Sequence, residues 1–286
     1  MIFVAFVARC GESHVVKLSV NVNKVATVRN SRGGRTPSVI EAVQVCVDAG
    51  SPGITVHPRA DARHITAADV HEIAAMLAPY TRRVEFNIEG DPRPDLLALV
   101  HEVRPDQCTL VPVRHGEITS QAGWSTDTPV AAFERTIREL KAAGIRVSVF
   151  VDPESEPIRW AAGVGADRVE LYTEPYARAF ERSDAAGRDS FDWYARAAEL
   201  AHSLGLGVNA GHDLDLDNLV LFRRLPHLDE VSIGHALISR AIFVGLDRTV
   251  REYLDVLAGR ARTFPTSAPG ELRSASELEH HRPHED

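Results

Sequence analysis

ValAsnAlaGlyHisAsp at 208–213 and ValSerIleGlyHisAla at 231–236 decide how this chain is read. Each begins as a short strand and breaks at Gly-His, where a strand would give way to a loop. The pattern recurs upstream, where ThrValHisProArg at 55–59 and AsnIleGlu at 87–89 leave His57 and Glu89 at the ends of apolar runs. If all four runs are parallel strands of one barrel, these polar residues meet at one mouth, because catalytic groups in such barrels come from the C-terminal ends of several strands.

Working outward, apolar and β-branched runs alternate with longer amphipathic ones. Strands are expected at 17–22, 53–57, 84–88, 107–111, 146–151, 168–172, 207–210 and 230–233. Helices are expected at 38–49, 67–77, 94–103, 129–143, 154–164, 190–203, 217–224, 236–243 and 247–259, with room for an extra short helix within 178–190. Gly144, Gly165 and Gly205 each stand where a helix should stop, and Pro37 and Pro153 stand near helix starts. Eight strand–helix units favour a closed (β/α)₈ TIM barrel over the alternative, an open doubly wound sheet. No Gly-x-Gly-x-x-Gly opens the first helix, so a dinucleotide fold has no fingerprint here. The barrel is assigned to 17–262, after an N-terminal extension at 1–16 and before a Ser-, Pro-, Glu- and His-rich tail at 263–286 expected to be disordered.

Composition sets the class. The chain has 286 residues and a formal charge of −8, with no basic footprint for nucleic acid. Its three cysteines are too scattered for a disulfide framework, so a reducing cytoplasm is the default. The apolar start, MetIlePheValAlaPheValAla, is too short to span a membrane and lacks a basic leader region.

The candidate chemistry follows the strand ends. Asn21, Asn23 and Lys24 close the first strand, and a loop with three arginines and two glycines follows at 29–35. That loop suits phosphate, since guanidinium forks match its oxygens, although it also reads as a solvated basic loop. His57, Arg59, Arg63 and His64 crowd the end of the second strand, pairing an anion site with a group that titrates near neutrality. Glu89 ends the third strand as a candidate general base and is preferred to Glu85. Arg114 and Thr119 follow the fourth strand, in a loop with Gly116 and Gly123 as possible hinges. Glu170, between Val169 and Leu171 in mid-strand, can point into the barrel, either to stabilise a cation or to pair with an arginine. Gly211-His212-Asp213 and Gly234-His235 then supply backbone N–H groups and a helix start for an anion. Only three lysines occur, so a Schiff-base aldolase would have to use Lys24. No HisGluxxHis or His-x-His motif calls for a metal.

These motifs resemble the pyridoxine 5′-phosphate synthase family. The resemblance rests on ValAsnValAsnLysValAlaThrValArgAsnSerArgGly, GlyIleThrValHisProArg, PheAsnIleGluGly, ThrLeuValPro, ValGluLeuTyrThrGluProTyrAla, ValAsnAlaGlyHisAspLeu and ValSerIleGlyHisAla, in order. It implies condensation of 1-deoxy-D-xylulose 5-phosphate with 3-amino-2-oxopropyl phosphate, without metal or organic cofactor, in a homo-octamer. It implies His57 and Glu89 as bases, His212 as proton donor and Glu170 as transition-state stabiliser. Asn21, Arg32, Gly234 and His235 would contact the aminoketone phosphate, and Arg59, His64 and Thr119 the deoxyxylulose phosphate. Asn23-Lys24 stands where many members have Asp-His, and Asp213 where many have Gly. TyrThrGlu at 172–174 replaces the usual His-Thr-Gly. Asn23, Lys24 and Asp213 are therefore expected as contacts of a family subtype. The competing readings are another phosphosugar barrel enzyme, an aldolase or epimerase, and a non-catalytic protein that holds a phosphorylated ligand.

Overall fold

The computed structural model describes residues 15–113 and 122–260. Most of the expected extension, the whole tail, and Arg114, Gly116 and Thr119 lie outside the described residues.

Eight parallel strands close in sequence order: β1 (Lys17–Asn21), β2 (Gly53–Val56), β3 (Glu85–Gly90), β4 (Gln107–Leu110), β5 (Arg146–Val151), β6 (Arg168–Tyr172), β7 (Gly207–Gly211) and β8 (Leu228–Ile233). β8 pairs with β1 in the register Lys17 to Glu230 and Ser19 to Ser232, which closes the barrel and removes the open-sheet alternative. Around it stand α1 (Asn23–Asn30), α2 (Val39–Asp48), α3 (Ala67–Leu77), α4 (Pro94–Val103), α5 (Val130–Ala142), α6 (Ser155–Gly163), α7 (Glu174–Arg182), α8 (Asp184–Ser203), α9 (Leu219–Phe222), α10 (His235–Val244) and α11 (Leu246–Leu257). No helix of the described residues is long and apolar enough to cross a membrane.

Two elements differ from expectation. Residues 23–30, for which no helix is expected and of which 29–30 are assigned to the basic loop, form α1. Asn23, Thr27 and Asn30 are weak helix formers and only Val25 and Ala26 are buried, so the helix depends on tertiary contacts. The segment before α8 is fully helical, with Ser183 Oγ accepting the Ala186 N–H at the break between α7 and α8. Gly187, which looks like a breaker, lets α8 approach Phe180 of α7: a Cβ there would lie 3.0 Å from the Phe180 ring.

Strand residues alternate between two environments. One set, including Leu18, Ile54, Ile88, Leu110, Val149, Leu171, Val208 and Val231, is buried between strands and helices. Each such side chain contributes about 1.5–3 kcal/mol by leaving water. The alternate set faces the barrel axis and is polar: Ser19, Thr55, Asn87, Thr109, Ser148, Glu170, Asn209 and Glu230, all buried. Barrel interiors are commonly filled by branched aliphatics; here hydroxyls and amides do it. Ser19 and Thr55 hydroxyls meet at 2.6 Å, Thr109 donates to Asn87 Oδ1 at 3.0 Å, and Asn87 donates to Thr55 at 3.3 Å. At the N-terminal end of the strands, Glu85 takes Lys17 at 2.6 Å and also Arg146. Glu85 thus closes the floor, and Glu89, of the same parity four residues on, reaches the mouth.

Candidate active site

A cavity of about 420 Å³ opens at the C-terminal ends of the strands. Its walls include Asn21, Asn23, Lys24, His57, Arg59, His64, Glu89, Glu170, His212, Asp213, Gly234 and His235. These residues come from the ends of β1, β2, β3, β6, β7 and β8, so twelve of the expected site residues meet in one place. Arg63 also lines it, as do Thr27, Val111, Phe150 and Ser232, which the sequence reading did not single out. Phe150 and Ser232 share the inward parity of Ser148 and Glu230, which is the signal that would have found them. Arg32 does not line the cavity. α1 carries the chain to Asn30, and the turn after it leaves Arg32 exposed. Arg29, from the same basic stretch, is paired to Asp69 through both terminal guanidinium nitrogens and is structural.

The loop after β2 is gripped by its backbone. Asn23 Oδ1 accepts the His57 N–H at 2.9 Å, Arg93 donates to the Pro58 carbonyl, and Asn30 Nδ2 donates to the His64 carbonyl at 2.8 Å. The Ile65 N–H donates to His64 Nδ1 at 3.0 Å, so neutral His64 keeps its proton on Nε2. His57 Nδ1 stands 4.0 Å from Glu89 Oε2, and its buried Nε2 has no partner among the described residues. Burial drives His57 down to about 3, helped by the positive fields of His64, Arg59 and Arg93. Burial also lowers His64 to about 4, with Arg59 and Lys24 contributing.

The carboxyls are shifted the opposite way for the same reason. Burial pushes Glu89 up to about 8, opposed by the Ser232 hydroxyl and reinforced by Glu230. Ser232 and Asn21 reach Glu89 only at 3.5 and 3.4 Å. Glu170 is raised well above the usual carboxyl range by burial, then by Glu89 and Glu230; no arginine ion pair to it is found among the described residues. Glu230, deeper in the barrel, is raised to about 7, chiefly by burial. Burial thus favours the neutral form of His57, His64 and His212 and of Glu89 and Glu170 alike. A cation placed among them would favour ionised Glu89 and Glu170.

His212 sits against Tyr172 and Phe150, with ring centroids 5.3 and 5.9 Å away, and burial lowers its pKa against the opposing pull of Asp213 and Glu174. Both Gly-His glycines make room for side chains. A Cβ on Gly211 would lie 2.4 Å from Glu170 Oε1, and one on Gly234 3.1 Å from Asn21 Cβ. α10 starts directly after Gly234, so its unsatisfied N–H groups open beside the cavity. Among the described residues no three His, Cys, Asp or Glu side chains are grouped as a metal ion would require.

The closed barrel and this mouth, lined by titratable and cationic groups, define a (β/α)₈-barrel enzyme of small-molecule metabolism. Comparison with known proteins specifies it further. The chain belongs to the family described as pyridoxal phosphate biosynthesis protein PdxJ, whose model matches residues 18–259. It is 49% identical over 245 residues to the pyridoxine 5′-phosphate synthase of Porphyromonas gingivalis, spanning 85% of this chain and 100% of that one. The synthase of Bacteroides fragilis strain YCH46 is 51% identical over 244 residues, again 85% and 100% of the two chains. Among solved structures, 3-hexulose-6-phosphate synthase from Salmonella typhimurium superposes with a TM-score of 0.59 at 17% identity, covering 86% of this chain and 100% of that one. That likeness is one of fold.

Proposed function

We propose that this chain condenses 1-deoxy-D-xylulose 5-phosphate with 3-amino-2-oxopropyl phosphate to give pyridoxine 5′-phosphate, inorganic phosphate and water. The observation that carries the reading is the convergence of His57, Glu89, Glu170 and His212 on one cavity that Lys24, Arg59 and Arg63 also line. Imine formation, dehydration and ring closure all move protons, which calls for several acid–base groups around one substrate. Both substrates are phosphate monoesters and need cations or helix N-termini to hold them.

The aminoketone arrives as an ammonium ion. Its charge lowers the cost of ionising Glu89, which then accepts the proton and frees the amine to attack the ketone. His57, neutral and 4.0 Å from Glu89, is the second acceptor. His212 donates to departing oxygen, and ionised Glu170 faces the cationic imine. Arg59 and the Nε2–H of His64 serve the deoxyxylulose phosphate. Asn21, Gly234, His235 and the start of α10 serve the aminoketone phosphate, joined by Arg32 when the turn after α1 folds inward. Asn23, Lys24 and Asp213 line the same cavity and are read as contacts to the deoxyxylulose moiety. Thr119 lies outside the described residues and is read, from the family resemblance alone, as a further contact to that phosphate. The scheme uses no organic cofactor, and the assembly we infer is a cytoplasmic homo-octamer.

The test is phosphate release and pyridoxine 5′-phosphate formation on mixing the protein with both substrates, beside a Glu89→Gln variant. Product from the parent and a loss of roughly 100-fold or more in the variant support the reading. Binding of both substrates without product would instead identify a ligand-holding protein.

A further inference from the structure

β7 ends at Gly211, and the next two residues turn through backbone that L residues rarely adopt: His212 has φ +91° and Asp213 φ +54°. Neither is glycine, so surrounding bonds must hold the turn. They are identifiable. The Thr173 N–H donates to the Gly211 carbonyl at 3.0 Å, and its hydroxyl lies 2.7 Å from the same oxygen and in close contact with the His212 carbonyl. Asn218 Nδ2 donates to the Asp213 carbonyl at 3.0 Å. Three consecutive carbonyls across the turn are thus taken up, two of them by one residue.

Thr173 has another task within reach and does not perform it. It occupies the N-cap of α7, where a threonine hydroxyl normally accepts a helix N–H, yet it makes no side-chain cap bond. The hydroxyl proton is shared between the carbonyls of Gly211 and His212. Thr173 is fully buried, so no water substitutes for it. We propose that Thr173 is a positioning residue that holds the His212 turn and so aims the imidazole, between Phe150 and Tyr172, at the reacting oxygen. This inference rests on the reading of His212 as proton donor.

The test uses the full chain with both phosphorylated substrates. Thr173→Val keeps shape and burial and removes the donor; Thr173→Ser keeps the donor. The expected result for Thr173→Val is a kcat lowered about 10- to 100-fold with KM for each substrate within about threefold of the parent. Thr173→Ser should return kcat to within about threefold of the parent. If the valine variant does not fold, Thr173→Ala carries the same test without added bulk. Unchanged kcat in the donor-less variant, or a serine variant as impaired as the valine one, would overturn the proposal. His212→Asn separates the two readings. If it retains turnover, His212 is not the donor; if it is inactive while Thr173→Val is normal, only the positioning role falls.

Discussion

Replacing Gly211 by alanine asks whether the Glu170 carboxyl must stand where the barrel holds it. The new Cβ would lie 2.4 Å from Glu170 Oε1 and 3.3 Å from the Ser232 carbonyl, against ordinary contact beginning near 3.4 Å. Gly211 is not among the glycines with a left-handed φ, so alanine fits its backbone and the strain falls on the glutamate. The carboxyl, at the end of a flexible side chain, has to retreat by roughly 1 Å, a displacement that costs an active site on the order of 100-fold in rate. That is about 2.7 kcal/mol of barrel-mouth geometry. Folding should suffer less, about 1 kcal/mol of overpacking and a few degrees in Tm. Steady-state product formation and thermal unfolding, measured on the same preparation, separate the two costs. Adding Glu170→Asp withdraws the carboxyl by one methylene and should relieve the clash in Tm. Wild-type kcat in Gly211→Ala would refute the argument, because a carboxyl displaced that far could not be stabilising the transition state.

Other perturbations probe other parts of the site. Glu89 is protonated in the folded chain up to about 8 and, in the unfolded chain, only to the ordinary 4.5, so its contribution to stability falls as pH rises through that window. The Glu89→Gln variant should therefore unfold at higher denaturant than the parent at pH 8, with the gap closing by pH 4.5; a constant gap would contradict this. Asn30→Ala removes the 2.8 Å bond to the His64 carbonyl and should raise KM for deoxyxylulose phosphate about fivefold with kcat preserved. An unchanged KM would place the grip on this loop elsewhere. Gly123→Ala would drive a Cβ to 2.4 Å from Val151 Cα and 2.5 Å from the Asp152 nitrogen, both unyielding backbone. It should lower stability by about 1–3 kcal/mol in denaturant titration, and a neutral effect would show that the segment before Trp124 is not docked on β5.

The strands were legible because their outward residues are β-branched and apolar, and the site because unusual residues stand at their ends: His57, Glu89, His212 and His235. What escaped depends on contacts distant in sequence. Arg29 reads as one arginine of a phosphate loop until Asp69, 40 residues away, claims it. No helix is expected at 23–30 because Asn23, Thr27 and Asn30 dilute the pattern and only Val25 and Ala26 are buried. Gly123, expected as a hinge, answers to close approach on Val151 and Asp152. Phe150 carries no titratable group and Ser232 no charge, so only inward parity marks them. Thr173 stands out only as part of TyrThrGlu; it lies at the head of α7, and its hydroxyl turns to the carbonyls at the end of β7.

The buried apolar side chains form a sleeve around the strands, while the axis is threaded by hydroxyls, amides and carboxyls. Successive letters of each strand therefore answer to different selections, one to cohesion and the next to reactivity. A laboratory lineage seeking new chemistry in this scaffold can randomise Asn21, Glu89, Phe150, Glu170 and Ser232 together while every sleeve position stays fixed. The molecule separates its robustness from its capacity to change by a single step along the chain.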